Sequence, residues 1–292
     1  AQIERLTLAE KQHIDVIYSN GGLEDWPLSQ ALAADNKLKA GYIGSLNFSK
    51  LHPEWVRFLA AVSLNDFQVR VIGDEINKDI LLAQAEAVGQ RTLLDFVGYT
   101  EQVKEVLSGL NVLVYLLNPS HYGTNENALL EAMAMGIVPV VLNNPAECAI
   151  VEHGKTGLIV ESEQDFAAAI KWLDENPQQR MKLGLQASKS VKKRYTKSTM
   201  QQAFSQNYQA LMKQEKKPLD FQKIFSGSAA DWFLACQQDP NIYLRPEKLQ
   251  STLQDAYLGH HLIEINKGSV LHFQRYFPDD QTIATWAEQL KS

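Results

Sequence analysis

NVLVYLLNPSHYGTNENALLEAMAMGIVPVVL (residues 111–142) is a strand, a loop, a helix and a second strand in direct succession. NVLVYLL (111–117) and IVPVVL (137–142) are apolar almost without interruption, as strands covered by helices on both faces are. Between them NALLEAMAMG (127–136) reads as a helix, entered through the loop that contains His121 and Tyr122. A strand that leads through a helix into another strand is a βαβ unit with parallel strands.

The alternation continues on both sides. Upstream, AGYIGSL (40–46), QVRVIGD (68–74) and LLDFVGY (93–99) read as strands, with helices at about 52–62, 77–88 and 101–110. Downstream, TGLIV (156–160) is the last strand, followed by helix at about 163–175 and more helix from 177 to 213. The expected fold is α/β, a Rossmann-like, doubly wound parallel sheet. Such a sheet binds its ligand at the carboxyl ends of its strands, so the chemistry belongs on the loops that follow them. Ahead of this core, 1–13 reads as a helix with Ile3, Leu6 and Leu8 apolar, IDVIYSNGG (14–22) as a short strand ending in a turn, and 23–39 as a polar connector. Beyond it, KQEKKPLD (213–220) is a charged boundary with Pro218. FSGSAADWFLACQQ (225–238) and PEKLQSTLQDAYLGHHLIEINKG (246–268) then read as helices of a C-terminal, mainly helical extension. The expected organisation is 1–39, 40–217 and 218–292. Trp232, Phe233 and Trp286 of the last part could pack onto the core, build a helical satellite or meet a partner; packing onto the core is the plainest reading.

The chain has 292 residues, 45% of them hydrophobic, enough for roughly two domains of about 100–200 residues. Its 34 acidic and 28 basic residues give a net charge of −6, which argues against bulk binding to nucleic acid or anionic lipid. A single small anion would need only a local positive pocket. Cys148 and Cys236 are too few for a disulfide scaffold or a zinc cluster, and fit a reducing, cytoplasmic setting. No apolar run approaches the roughly 18 residues of a membrane span, which leaves at most a peripheral membrane contact. The chain starts at Ala1 rather than Met, as a processed or engineered piece would. His52, His153, His260, His261 and His272 show no metal spacing, so no metal is expected, and no Walker loop, Ser-His-Asp elbow or HExxH motif occurs.

The loop before 127–136 suits an anion. A helix N-terminus offers unpaired N–H groups and the positive end of the helix dipole. Gly123 lets the backbone approach a ligand closely, and Thr124 or Asn125 can cap the helix. Backbone N–H groups from Asn125 through Asn127 to Ala128 are candidate donors to a phosphate or sugar. Glu126 is either a carboxylate of the first turn or a direct contact to such a ligand, and Asp74 is equally a helix cap or a lining residue beside Gly73.

LLEAMAMGIVPVV (129–141), NNPAECAIVEHGKTGLIV (143–160) and GYIGSLNFSK (41–50) together resemble the donor-binding half of family 4 and related group 1 glycosyltransferases with the GT-B fold. The resemblance covers about 40–200 and, more weakly, 14–39. It implies one half of a GT-B fold and a retaining, metal-independent sugar transfer from a nucleoside-diphosphate sugar, which is a co-substrate rather than a cofactor. It assigns Glu131 to the ribose hydroxyls and Lys50 to the leaving diphosphate; Glu126, off the family's spacing, is the second catalytic candidate as a replacement for the missing acid, unless backbone N–H groups at Asn125 to Ala128 hold the donor sugar instead. It places the donor along Gly44, Ser45, Gly73, Val97, Gly98, Tyr99, Tyr122, Gly123, Thr124, Asn125, Asn127, Ala128, Leu129 and Glu131. The end of 93–99 is where the base belongs, with Tyr99 able to stack on it.

Two positions depart from the family pattern. The acid expected eight residues before Glu131 is Gly123, with Glu126 five residues before instead. The arginine expected on the first loop is Ser45, which leaves Lys50 nearly alone against the diphosphate. IDVIYSNGGLEDW (14–26) resembles the junction between the two GT-B halves, so the acceptor, a saccharide or other group, is expected on a domain this chain does not contain. A non-catalytic nucleotide-sugar-binding or assembly module is the alternative. A GT-B-like sugar-nucleotide epimerase is a third reading, although the acids and histidine it needs find no match here.

Overall fold

The computed structural model describes residues 14–18, 20–32, 37–121, 125–216, 227–255, 258–265 and 268–290. Six parallel strands form one sheet: β1 Ala40–Ile43, β2 Val69–Ile72, β3 Leu94–Gly98, β4 Val112–Tyr115, β5 Val138–Leu142 and β6 Leu158–Val160. They lie in the order β3-β2-β1-β4-β5-β6. The order reverses between β1 and β4, so the loops that follow these two strands flank the crevice of a doubly wound sheet.

Helices alternate with the strands as the sequence pattern requires. They are α1 Trp55–Ala60, α2 Lys78–Ala87, α3 Val103–Ser108, α4 Asn127–Ala134, α5 Pro145–Cys148, α6 Glu163–Glu175, α7 Pro177–Arg194 and α8 Lys197–Met212. β1, β4 and β5 are buried at every position because helices cover both faces. The core between sheet and helices is filled by Tyr42, Trp55, Tyr115, Phe166 and the aliphatic residues around them. The expected helix over 177–213 is two helices, parted at Tyr195 and Thr196; Thr196 caps α8 by accepting from the Thr199 amide.

Two expectations for the N-terminal part do not hold. Among the described residues of 14–22 there is no strand: Val16 and Tyr18 are exposed, and no neighbouring strand pairs with them. The β-branched composition is a local signal, and a strand needs a partner. The stretch 23–32 is not a loose polar connector either. Leu23 and Ala31 are buried, and Ser29 donates its hydroxyl to the carbonyls of Ser108 and Leu110 while its amide donates to Met135. It is a strap laid against the helices. The expected helix at 1–13 lies outside the described residues.

The C-terminal part is helical: α9 Ala229–Ala235, α10 Asn241–Leu244, α11 Pro246–Leu253, α12 Leu258–Ile263, α13 Val270–Tyr276 and α14 Gln281–Gln289. It has its own core rather than serving as a cover for the sheet. Phe233 sits edge-on to Tyr243 at 4.8 Å and to Phe273 at 5.2 Å, and Trp286 completes the cluster. Rings of this size bury enough apolar area to sustain a small satellite. It meets the sheet through Glu264, whose carboxylate accepts from the Phe48 and Ser49 amides at 2.6 and 3.2 Å and from Asn77 Nδ2 at 2.8 Å.

α4, which the site depends on, is backed by α7. The two come together where Gly136 meets Gly184: a Cβ on Gly184 would lie 2.1 Å from the Gly136 carbonyl oxygen. Ser188 secures the same contact with a 2.7 Å bond to the Ala134 carbonyl. Gly184→Ala must therefore push two backbones apart. It should destabilise the chain by about 2–3 kcal/mol in urea unfolding. A loss under about 0.5 kcal/mol, the scatter of ordinary surface changes, would show that the contact is looser than drawn.

Candidate functional site

The site grows out of the end of β4. Tyr115 is its last residue, with its ring wholly buried, and its hydroxyl donates to Glu126 Oε2 at 2.6 Å. Glu126 is the residue just before α4, where a short polar side chain would cap the helix, yet its carboxylate makes no capping bond. It turns inward instead and is 3% exposed. Its other oxygen lies 3.2 Å from His121 Nε2, and the His121 Nδ1 lies 2.8 Å from the Asn118 carbonyl. Lys50 Nζ approaches Glu126 Oε2 at 3.8 Å and stands 5.4 Å from the centre of the Tyr115 ring. Glu147 of α5, fully buried, closes the cluster: its Oε1 is 3.8 Å from His121 Nε2 and 3.4 Å from Asn144 Nδ2. Its Oε2 is buried with no hydrogen-bond partner among the described residues.

Charges placed here shift one another. Burial alone would raise the Glu126 carboxyl, but hydrogen bonds from His121 and Tyr115 and the nearby Lys50 hold it below its ordinary value. Burial works the opposite way on His121, and the bond to Glu126, the Glu147 charge and the Asn118 carbonyl together raise it. Glu147 is raised by burial, with His121 opposing. The Tyr115 hydroxyl stays protonated because burial and the Glu126 charge both push it well up.

Lys50 reaches this cluster because Asn118 ties two loops together. The Asn118 amide donates to the Lys50 carbonyl at 2.8 Å, and its side chain donates to the Phe48 carbonyl at 2.8 Å. The loop after β1 is also laced to the loop after β2. Asp74 accepts from the Leu46 and Ile76 amides, and the cap position of α2 is Asn77, so Asp74 is a lacing residue rather than a helix cap. Gly73, at φ +157°, has no room for a side chain, because a Cβ would lie 1.9 Å from the Gly44 carbonyl oxygen. Ser45 is occupied locally: its hydroxyl accepts from Asn47 and its carbonyl from the Tyr42 hydroxyl.

The remaining candidates fall on other elements. Val97, Gly98 and Tyr99 stand at the end of β3, the edge strand, with Val97 and Tyr99 exposed and Gly98 at φ +81°. Glu131, on α4, is half-buried; burial raises its carboxyl and Lys104 opposes. Asn125 and Asn127 are exposed, Asn127 accepting from Asn20, and Ala128 is half-buried. Leu129 is fully buried in the core, so only its main chain is free to meet a ligand. Tyr122, Gly123 and Thr124 lie outside the described residues. The structure thus joins Lys50 and Glu126 directly and adds His121, Tyr115, Asn118 and Glu147. Glu147 escaped the sequence reading because α5 did, although Asn144-Pro145 after a strand is a helix-start signal.

Well-formed hollows also lie elsewhere among the described residues. One of about 660 Å³, lined by Ile159, Trp172 and Leu183, runs along the edge strand β6. Another of about 710 Å³, lined by Lys37, Asp66 and Asp174, is at the amino end of β1. Neither includes a member of the Lys50–Glu126 cluster, so shape alone does not mark the site and the buried charges do.

Glu126→Gln leaves Lys50 and His121 without their shared carboxylate and should cost about 1–3 kcal/mol at neutral pH. Because the folded-state pKa of Glu126 is depressed, its contribution is present above the ordinary carboxylate range and is lost as pH falls through the folded value. Urea unfolding of both proteins across pH checks this. The gap between them should shrink on acidification; a gap that stays constant would contradict the ionised, paired Glu126.

The family profile of glycosyl transferases group 1 matches residues 26–190, more than half of the chain. No curated protein matches. Among solved structures, HepE of Anabaena, in complex with UDP and glucose, is 19% identical with a TM-score of 0.60 over 69% of this chain and 58% of that one. Sucrose-phosphate synthase from Thermosynechococcus elongatus is 18% identical with a TM-score of 0.62, over 72% and 56% of the two chains. A glycosyltransferase from Rickettsia africae is 14% identical with a TM-score of 0.59, over 74% and 63%. The chain therefore spans less than two thirds of each of these proteins, and at such identities the likeness is one of fold.

Proposed function

The chain belongs to the glycosyl transferases group 1 family, and from that membership we propose that it is the donor-binding part of an enzyme that transfers sugar from a nucleoside-diphosphate sugar. The observation that carries this is the meeting of Lys50 and Glu126, at 3.8 Å, at the carboxyl end of β4 and the start of α4. A cation beside a helix N-terminus suits a diphosphate, which carries negative charge before and especially after the sugar leaves. HepE, of similar fold, holds UDP and glucose. In this reading Lys50 neutralises the leaving diphosphate, Glu131 accepts the ribose hydroxyls, and the end of β3 from Val97 to Tyr99 receives the base. Transfer is retaining and needs no metal.

The acceptor sits on a second domain, supplied by sequence outside this chain or by another chain. The three parts 1–39, 40–217 and 218–292 would then be a junction, the donor domain and a helical satellite, working in the cytoplasm. The replacement of the expected acid by Gly123 and of the expected arginine by Ser45 favours a second reading, a module that binds the nucleotide sugar without turning it over. Proximity of donor and acceptor supplies much of a transferase's rate, so the isolated chain should bind donor and transfer poorly.

Calorimetric titration with UDP, GDP and ADP tests the proposal. At least one should bind, and Lys50→Ala and Glu131→Ala should each weaken it about tenfold, the value of one charge-assisted contact. Failure of all three nucleotides to bind would overturn both readings. Binding without transfer, persisting when the flanking domain is supplied, would favour the module.

A further inference from the structure

His121 is a buried histidine whose two nitrogens have different but equally demanding partners. Nδ1 lies 2.8 Å from the Asn118 carbonyl, which can only accept, so Nδ1 carries a hydrogen. Nε2 faces two carboxylates, Glu126 Oε1 at 3.2 Å and Glu147 Oε1 at 3.8 Å. Glu126 already receives the Tyr115 hydroxyl and faces Lys50 at its far oxygen, so it is the ionised acceptor. Nε2 must then donate too, and a ring with hydrogen on both nitrogens is an imidazolium.

Charge balance gives this proton a use. Around His121 the described residues present Lys50 from the loop after β1, the Tyr115 hydroxyl and Asn118 carbonyl from β4 and its end, Glu126 from the start of α4, and Glu147 beside Asn144 from α5. With His121 charged, two cations face two carboxylates. With it neutral, the cluster carries an excess of negative charge next to the place proposed for a diphosphate. Position 45, where the family resemblance calls for an arginine, is a serine held in local bonds.

We propose that His121, kept as an imidazolium by Glu126 and Glu147, is the second cation of the diphosphate site, and that Glu147 is its positioning residue. The assignment rests on the donor-site reading above. His121 acts by charge rather than by contact, since its side chain is 4% exposed, and in an interior of low dielectric a charge at this range is felt strongly. Among the described residues Glu147 has few other partners: its Oε1 meets Asn144 at 3.4 Å, its own main-chain N–H favours the carboxylate, and its Oε2 meets no donor, so holding the imidazolium is the role its position supports. A buried carboxylate left otherwise unanswered is costly unless something nearby requires it.

The test uses the whole chain and two readouts. The first is NMR titration of the histidine side chains without nucleotide, with the His121 signal identified by its loss in His121→Asn. His121 should titrate above the ordinary value of about 6.5. In Glu147→Gln it should titrate lower, and Glu147→Asp should restore part of the difference. The second readout is the affinity, from about pH 6 to about pH 8.5, of whichever of UDP, GDP and ADP binds most tightly in the titration above. Wild type should lose about tenfold in affinity as His121 deprotonates. His121→Asn should show only the pH dependence of the nucleotide itself. In Glu147→Gln the loss should begin at lower pH, with affinity at the acid end no weaker than wild type, a pattern that mere loosening of the fold does not produce.

A His121 that titrates at or below the ordinary value, or a midpoint unmoved in Glu147→Gln, would overturn the proposal. So would a wild-type affinity profile that matches His121→Asn. Absence of binding of UDP, GDP and ADP at every pH would overturn the donor-site reading and the second-cation role together. The NMR titration would still decide whether the imidazolium exists, so the two failures are told apart.

Discussion

A carboxylate that is 3% exposed stays ionised only if the protein surrounds it with donors and positive charge. Glu126 has that surround, and much of the crevice is arranged to provide it. Tyr115 closes β4 with a hydroxyl aimed at one oxygen, and His121 comes off the following loop to meet the other. Lys50 is brought over from the first loop by Asn118, which bonds to the main chain on either side of Ser49. Removing one partner leaves the others with unmatched charge, which couples the loop after β1, the end of β4 and the start of α4 into one unit. Such coupled, buried clusters are common at functional sites, where shifted pKa values are part of the chemistry.

The sheet supplies the rigidity that this cluster needs. The strand order reverses between β1 and β4, and the helices that fill both faces leave the two following loops close together. Backbone-to-backbone approaches then lock the geometry. Gly73 lies against the Gly44 carbonyl, and Gly184 against that of Gly136, with no space for a side chain at either contact. The helical satellite adds one more tie, through Glu264 to the amides of Phe48 and Ser49. That loop carries Lys50, so the C-terminal part is mechanically linked to the charged cluster.

The α/β sheet was legible because burial on both faces turns each strand into an apolar run, and these runs need no knowledge of distant contacts. All six strands fall inside the segments read as strands. IDVIYSNGG misled for the complementary reason: its β-branched residues suggest a strand, but pairing is decided by the sheet, and no edge is offered to Val16 or Tyr18. At the site, the family resemblance points to Lys50 and the position at a helix start points to Glu126, while their meeting is not legible in the sequence. It depends on Asn118, which reads as an ordinary loop residue. Glu126 is expected at the first turn of a helix and stands just before it, with its side chain turned inward to Tyr115, a residue inside an apolar strand run. Glu147 was hidden in a four-residue helix whose start signal, Asn144-Pro145, went unread. The aromatic residues of 221–292 gave helix but not placement, because Phe233, Tyr243 and Trp286 pack as well on one another as on a sheet.

The most direct measurement is a crystal structure of the chain with UDP. The diphosphate should lie at the carboxyl end of β4, with a phosphate oxygen about 3 Å from Lys50 Nζ and the ribose hydroxyls on Glu131. UDP seated instead in the groove along β6 beside Trp172, with the Lys50–Glu126 cluster unchanged, would contradict the assignment of that cluster as the donor site.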